Sequence, residues 1–596
     1  MSGESPAANY RDAMQTVITR RPVPDDVNLP ADIHPVLRRV YAARQVTSAA
    51  ELDYSLAGLL PHHDLHGIDQ AAALLESALA AGRRILIVAD FDADGATSCA
   101  LAVRGLRAMG AADVHYVVPN RFEFGYGLSP DIVRVAAGYR PDILMTVDNG
   151  ISSMEGVALA RAMNMDVLIT DHHLPGRSLP DATAIVNPNQ AGDRFPSKSL
   201  AGVGVVFYLL IALRSRLREA GWFATRNISE PNLASLLDLV ALGTVADVVP
   251  LDYNNRILVA QGLSRIRSGR CCPGILALLG VANRSVSAVT AQDLAYAVAP
   301  RLNAAGRLTD MAAGIECLLQ DDEAAARRLA VQLDTLNRER RGIQEEMHGQ
   351  ALAQIQQLDF SDDRQLPDGL CLFDECWHQG VVGILAARIR DKYHRPVIAF
   401  ARDRAGMIKG SARSIRGVHI RDVLDTLAGR HPGIIDKFGG HAMAAGLSIR
   451  ESDLEQFGAL FDRLIGTAFA AEINADTLLS DGELDAADLD IALAEQIIGG
   501  GPWGKDFPEP VFDGEFKILS RRALAGRHLK FQLKYPGDDK ILEAIAFDVI
   551  DEKPPPSRGS IRTLYRLDIN EYGGRRALQL VLDHISPIDA ASGDDT

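Results

Sequence analysis

Cysteine is scarce in this 596-residue sequence: six thiols, at positions 99, 271, 272, 317, 371 and 376, with no C-x-x-C pair. That usage argues against a zinc ribbon or a disulfide framework and predicts reduced thiols in a cytoplasmic compartment. Long hydrophobic runs are also missing. The longest apolar stretch, about 200–213, is broken by glycine and closed by Arg214, well short of the ~20 residues of a membrane span. No apolar core follows a basic start at the N-terminus, so no secretory signal is expected. Positive charge is not in excess either. The 62 Lys plus Arg face 77 Asp plus Glu, a net charge of −15, which argues against nonspecific coating of nucleic acid and confines any polyanion site to a local patch.

What remains is a globular composition, 47% hydrophobic and 23% charged, in a chain long enough for three or four domains. Apolar runs at 85–89, 114–118, 143–147 and 166–170 alternate with Ala-rich stretches, the pattern of βαβ units around a parallel sheet in an α/β fold. Helices are expected near 201–220 and 233–245. Residues 323–358 lack proline and carry apolar residues at helical spacing, which predicts one long helix joining two lobes. A second α/β region has expected strands near 369–373 and 397–400, a helix over 381–393 and a glycine-rich turn at 438–441. Beyond a linker at 499–504, alternating stretches at 529–534, 541–547 and 578–582 predict a small antiparallel β-barrel.

Chemistry concentrates where strands end. Asp90-Phe-Asp92-Ala-Asp94-Gly95 directly follows the first apolar run, and its alternating carboxylates are hard ligands suited to Mg²⁺ or Mn²⁺. A calcium loop is excluded, because a strand precedes the motif and Leu101 stands where an EF-hand needs glutamate. A purely structural role, with Asp94 capping the next helix, accounts for one carboxylate and not three. Two further strands run into Asp148-Asn-Gly150 and Asp171-His172-His173, and ligands of open α/β sheets bind beyond such carboxyl ends. Asp247 sits in an apolar stretch that calls for a cation. Together these groups suit two divalent ions and in-line attack on phosphorus.

Asp90-x-Asp92-x-Asp94-Gly95, Asp148-Asn-Gly150, Asp171-His172-His173 and Gly243-Thr-Val-Ala-Asp247 resemble the four motifs of the DHH phosphoesterase superfamily. The segments 119–128, 300–307 (Pro-Arg-Leu-Asn-Ala-Ala-Gly-Arg), 377–383 (Trp-His-Gln-Gly-Val-Val-Gly) and 439–446 (Gly-Gly-His-Ala-Met-Ala-Ala-Gly) further resemble the RecJ family of single-strand-specific 5′ to 3′ exonucleases, over about residues 50–590. Phe124 departs from the acid expected in the first of these, which bears on a loop contact alone. The resemblance implies an N-terminal segment (1–50), a DHH catalytic domain (51–265), a helical connection (266–358), a DHHA1-like substrate-binding domain (359–470) and a linker with an OB-fold (471–596). It implies metal ligands Asp90, Asp92, Asp94, Asp148, His172 and Asp247, with Asp148 bridging two ions and His173 facing the scissile phosphate.

The missing basic surface lies between 388 and 437, where twelve Lys or Arg face five Asp or Glu. There Lys409-Gly-Ser411-Ala-Arg413 interleaves cations with glycine and hydroxyl, which suggests backbone amides and Arg413 approaching a phosphate together. Gly439, Gly440 and His441 suggest a second close-approach turn, the alternative being a tight turn into a helix over 442–445. By resemblance, Arg121, Arg301, Asn303, Arg307, Ser411, Arg413 and His441 are candidates for the 5′ end and nearby phosphates, and Tyr126 for base stacking. In the barrel, Phe531 and Phe547 are expected in the core, leaving lysines and arginines for single strands. The implied partners are single-stranded DNA with a free 5′ end, single-strand-binding protein and a helicase, with a monomeric enzyme and no membrane. The alternatives are a small-substrate phosphodiesterase or pyrophosphatase of the same superfamily, and a catalytically inactive binding protein on the same fold.

Overall fold

The computed structural model describes residues 16–24, 27–120, 123–124, 127–357, 366–403, 406–469, 476–524, 528–547, 549, 556–572 and 575–588. They divide into two compact units, one within Pro24–Arg338 and Gln496–Glu509, the other within Met1–Val23, Glu339–Glu495 and Pro510–Thr596. Strand β1 (Thr16–Arg20) pairs in parallel with Asp476–Ser480 and so belongs to the second unit.

In the first unit, uninterrupted apolar runs need cover on both faces, which a parallel sheet between helices supplies. Strands β2 (Ile85–Ala89), β3 (Val114–Val117), β4 (Ile143–Val147), β5 (Asp166–Thr170) and β6 (Ala184–Val186) form a parallel sheet in the order β3-β2-β4-β5-β6. The order reverses between β2 and β4, so the ligand crevice of such a sheet lies at their carboxyl ends. Register aligns Ala89 with Val147 and Val147 with Thr170, which sets Asp90, Asp148 and Asp171 along one rim. Helices α1 (Ala93–Ala108), α2 (Gly202–Glu219) and α3 (Leu237–Ala246) pack on one another beside this rim, and α4 (Ala299–Leu308) packs on α1.

The expected linker at 499–504 is instead a packed part of this unit. Glycine and proline there read as punctuation, but Trp503 is 6% exposed and stacks on Tyr41 and Phe507. Its indole N–H donates to Ile497 O at 2.8 Å, and the Tyr41 hydroxyl donates to Gly500 O at 2.9 Å. A large aromatic body with its polar handle satisfied stabilises a segment whose composition alone reads as loop.

Helix α5 (Glu323–Gln357) is continuous, as its sequence spacing predicts. In the second unit, β7 (Leu370–Phe373), β8 (Val397–Arg402), β9 (Met407–Arg413), β10 (Lys437–Gly440) and β11 (Ala444–Arg450) form a sheet in the order β10-β11-β9-β8-β7. Helix α6 (Val382–Tyr393) covers β8 and β9. One expectation and its alternative are both corrected here. Gly439 and Gly440 lie on β10 and not in a turn, and residues 444–445 open β11 instead of completing a helix. Short glycine and alanine runs carry no face pattern, so pairing with β11 and β9 decided their state. Lys409 to Arg413 likewise lie inside β9, flanked on both sides by paired strands, so their backbone amides serve the sheet and only side chains are left for a ligand.

The C-terminal region carries β12 (Asp476–Ser480), the partner of β1, and a closed barrel of β13 (Phe512–Leu524), β14 (His528–Lys534), β15 (Ile541–Ala546), β16 (Gly559–Tyr572) and β17 (Arg575–Pro587) in the order β13-β14-β15-β17-β16. Phe531 is buried as expected. Phe547 is not: it stands 52% exposed just past the end of β15, edge-on to His528.

Candidate active site: a cluster of carboxylates and two imidazoles

Each acidic side chain reaches the rim by a different local device. Asp90 ends β2 and accepts from the Phe91 amide at 2.8 Å. Asp92 is the residue that caps α1, accepting from Gly95 N at 3.0 Å. Asp94, whose purely structural alternative is to cap that helix, is buried and accepts instead from Gly202 N (2.6 Å) and Val203 N (2.9 Å) at the start of α2, where unpaired amides and the helix dipole favour an anion. Asp148 is 2% exposed and has φ 63°, a left-handed backbone that Asp tolerates better than most residues. Helix α2 approaches it only because residue 202 is glycine: a Cβ there would lie 2.6 Å from the Asp148 Cβ and Oδ1. Asp247 follows the last residue of α3.

The imidazoles complete the cluster. His172 Nε2 lies 3.1 Å from Asp148 Oδ1 and 3.5 Å from Asp247 Oδ2, yet it is buried and makes no hydrogen bond among the described residues. His173 is fixed by Asp171, whose Oδ1 lies 2.7 Å from His173 Nδ1 and accepts the amides of His172 (2.7 Å) and His173 (3.0 Å). The other Asp171 oxygen accepts from Ile151 N at 2.9 Å. Three groups of potential ligand atoms each lie within 4.8 Å of one another: Asp90, Asp92, Asp148; Asp94, His172, Asp247; and Asp148, His172, His173. Asp148 belongs to two of them.

This much negative charge out of water is costly without cations. Burial and then the neighbouring Asp247 push Asp94 up to about 7, while burial and then Asp92 push Asp247 up to about 7. Asp148 is raised well above the carboxylate range by burial and by Asp94, Asp92, Asp90 and Asp247. Burial and His173 lower His172, which keeps a neutral imidazole available as a ligand. Burial opposes protonation of His173, but Asp171 overrides it and raises the ring to about 9. Hard oxygen donors plus a neutral imidazole, buried and mutually repelling, fit divalent cations.

The remaining candidates fall in separate places. Arg121 and Tyr126 lie outside the described residues. Phe124, the odd residue of that motif, is partly buried against the sheet's core. Arg301 is mostly buried and paired with Asp334, Nε at 3.0 Å and Nη2 at 2.8 Å. Asn303 Oδ1 accepts from Ala93 N at 2.8 Å, inside the acidic motif, and a Cβ at Gly306 would lie 1.9 Å from Phe91 O. Helix α4, which also carries Arg307, therefore buttresses the acidic loop. In the second unit, Gly439, Gly446 and Ser411 stand opposite one another across β10, β11 and β9, leaving the Ser411 hydroxyl beside a row without side chains. Arg413 Nη1 donates to Ser411 Oγ at 3.0 Å. His441 follows β10, its amide donating to Ala444 O at 2.8 Å.

Two contributors were missed in the sequence. The sequence groups Asp171 with the metal-site motifs and assigns it no role of its own, although its place two residues before His173 is the spacing of an orienting carboxylate. The first turn of α6 also approaches the Ser411 and Arg413 side chains, since a Cβ at Gly383 would lie 2.8 Å from Arg413 Nη2 and 2.9 Å from Ser411 Oγ. The glycine that ends 377–383 was its signal.

Residues 84–244 match the DHH family, N-terminal domain, 368–467 match the DHHA1 domain and 480–584 match the RecJ OB domain. The single-stranded-DNA-specific exonuclease RecJ of Salmonella typhimurium is 52% identical over 576 residues, covering 96% of this chain and 100% of that protein. Crystal structures of RecJ from Thermus thermophilus superpose with a TM-score of 0.78 for the Mn²⁺ complex, at 30% identity over 97% of this chain and 80% of that one. For the Mg²⁺ complex the TM-score is 0.72, at 28% identity over 97% and 79%.

Proposed function

Since the chain belongs to the RecJ family of single-stranded-DNA-specific exonucleases, we propose that it removes mononucleotides from a free 5′ end, with Asp90, Asp92, Asp94, Asp148, His172 and Asp247 holding two divalent ions and Asp148 shared between them. The observation that carries this reading is the overlap of the three ligand groups, in which Asp148 and His172 each belong to two and Asp148 is the member that a carboxylate's two oxygens suit to sharing. Bound Mn²⁺ or Mg²⁺ supplies Lewis acidity at the phosphate and lowers the pKa of water.

The protein's own groups do the rest. Asp94 and the N-terminus of α2 stabilise one another, so the donor set is held in place before substrate arrives. His173, kept protonated by Asp171, is positioned to donate a hydrogen bond to a phosphate oxygen as charge grows there. Arg413, Ser411, the β10 glycines Gly439 and Gly440, and His441 receive the 5′ end and adjacent phosphates, Arg413 through a guanidinium already aimed by Ser411. Asn303 acts by holding the acidic loop, and Arg301 with Arg307 completes the helix that supports it. Arg121 and Tyr126 keep their assignment to phosphate and base.

The domain assignments follow the same division, with catalysis in 51–265, end-binding in 359–470 and a single-strand track on the OB barrel, where exposed Phe547 joins the lysines and arginines. Monomeric action in the cytoplasm alongside single-strand-binding protein and a helicase completes the reading. Among the described residues no helix is long and apolar enough to cross a membrane.

A length-resolved assay tests it. Single strands with either the 5′ or the 3′ end blocked, the matching duplex and a dinucleotide are incubated with Mn²⁺ or with chelator. The expected result is stepwise loss of mononucleotides from 5′-accessible single strands, with metal only. Cleavage from the 3′ end overturns the polarity, hydrolysis confined to the dinucleotide favours a small-substrate phosphodiesterase, and metal-independent binding without cleavage leaves a binding protein.

A further inference from the structure

The residue after Asp247 leaves the helix in an unusual way. Val248 has φ 58° and is 53% exposed, a conformation that β-branched residues rarely adopt. Its side chain forms one wall of a cavity of about 300 Å³, which Leu251, Tyr296, Trp503, Lys505 and Glu509 also line. All of these residues belong to the first unit. The volume is at the lower end for small-molecule sites: it has room for one flat ring system and none for a helix.

The walls have the chemistry of an aromatic ligand attached to an anion. Tyr296 is 73% exposed, on a π-helical stretch over Leu294–Val298, an irregularity that often accompanies functional sites. An exposed aromatic ring over an apolar cavity offers a stacking surface. Lys505 and Val248 both line the cavity, and Val248 directly follows Asp247 of the carboxylate cluster, so a cation-bearing wall and the cluster adjoin the same space. One carboxylate oxygen of Glu509 is already engaged, accepting from Gln292 Nε2 at 2.8 Å. Among the described lining residues Lys505 is the one cation.

We propose that this cavity is a nucleobase pocket, holding the base of a nucleotide whose phosphate lies at the carboxylate cluster, with Tyr296 stacking on the base and Lys505 facing the phosphate. The proposal rests on the exonuclease reading above and deepens it. Stacking on an aromatic face accepts every base, so the pocket orients a nucleotide without reading sequence.

The test uses the full chain and short single strands that carry 2-aminopurine at successive positions, in excess chelator so that nothing is cut. Binding is expected to quench the fluorophore at one position near the end. Tyr296→Ala abolishes that quench and leaves the others, and Tyr296→Phe retains it. With Mn²⁺ added, an abasic residue at the same position slows parental single-turnover cleavage about tenfold, in the range of one lost base–aromatic stack, and does not slow Tyr296→Ala further. Absence of a position-specific quench, or a quench that survives Tyr296→Ala, overturns the pocket. Failure of the parent to cleave any strand overturns the exonuclease reading, while the chelator measurement still decides the pocket.

Discussion

The side-chain oxygen of Asn303 accepts a hydrogen bond from the Ala93 amide at 2.8 Å, which fastens helix α4 to the middle of the acidic motif some two hundred residues earlier in the chain. Asn303→Ala leaves that buried amide unpaired, at about 1–3 kcal/mol. The acidic loop loses its support, so Mn²⁺-dependent single-turnover cleavage is expected to fall at least about tenfold, roughly the 1.4 kcal/mol equivalent, while single-strand affinity stays within about twofold. Thermal unfolding and rapid-quench cleavage check the two parts; unchanged cleavage with a lowered Tm confines Asn303 to stability.

Asp148→Asn separates charge from shape, because Asn tolerates the φ of 63° found there. Divalent-dependent hydrolysis is expected to drop by about 10³-fold or more, the scale of losing a central electrostatic group. In chelator the same variant is expected to match or exceed the parent's Tm, since one of five clustered carboxylates has been neutralised. A metal-free variant markedly less stable than the parent makes Asp148 a structural residue.

The pH dependence of the metal-free protein has a definite sign. Asp94 and Asp247 rise from an ordinary 3.8 to about 7, so between those values the folded protein binds more protons than the unfolded chain. That contribution to stability is complete below about pH 4 and is lost as pH rises through about 7. Tm in chelator is expected to decline from pH 5 to pH 8 in the parent, and saturating Mn²⁺ to remove the decline. A parental Tm in chelator that rises across this window is the contrary result.

Arg413 is mostly buried and aimed by Ser411. Arg413→Ala is expected to weaken single-strand binding and to reduce the salt slope by roughly 0.7 for one lost phosphate contact. An affinity and slope unaltered across a salt titration assign the guanidinium to packing on α6.

The barrel can be removed only beyond Glu509, because Trp503 and Phe507 pack in the catalytic unit. A chain ending at Glu509 is expected to cut short oligonucleotides at near the parental rate and to lose affinity and processivity on long strands. Equal losses on both substrates mark the barrel as a folding support. Trp503→Ala is the contrasting variant, expected to cost about 3–5 kcal/mol as a buried aromatic truncation.

Much of this protein is written in one dimension. Ile85–Ala89 and Ile143–Val147 are apolar on both faces and too short for helices, so a covered parallel sheet follows from their composition, and a carboxylate placed directly after such a strand has nowhere to go but the rim. The 35-residue helix is equally legible, because nothing in it breaks the helical period. The tertiary structure decided what depends on groups distant in sequence. That Asp92 caps its own helix while Asp94 caps α2 depends on where residues 202 and 203 arrive. Gly439 and Gly440 became a strand because β11 was beside them, and the glycine-rich segment at 499–504 became core because Tyr41 and Phe507 met Trp503. Local pattern sets which face an element buries, whereas hydrogen-bond partners and close approach are settled only when separate elements meet, and the proposed metal cluster is built from such meetings.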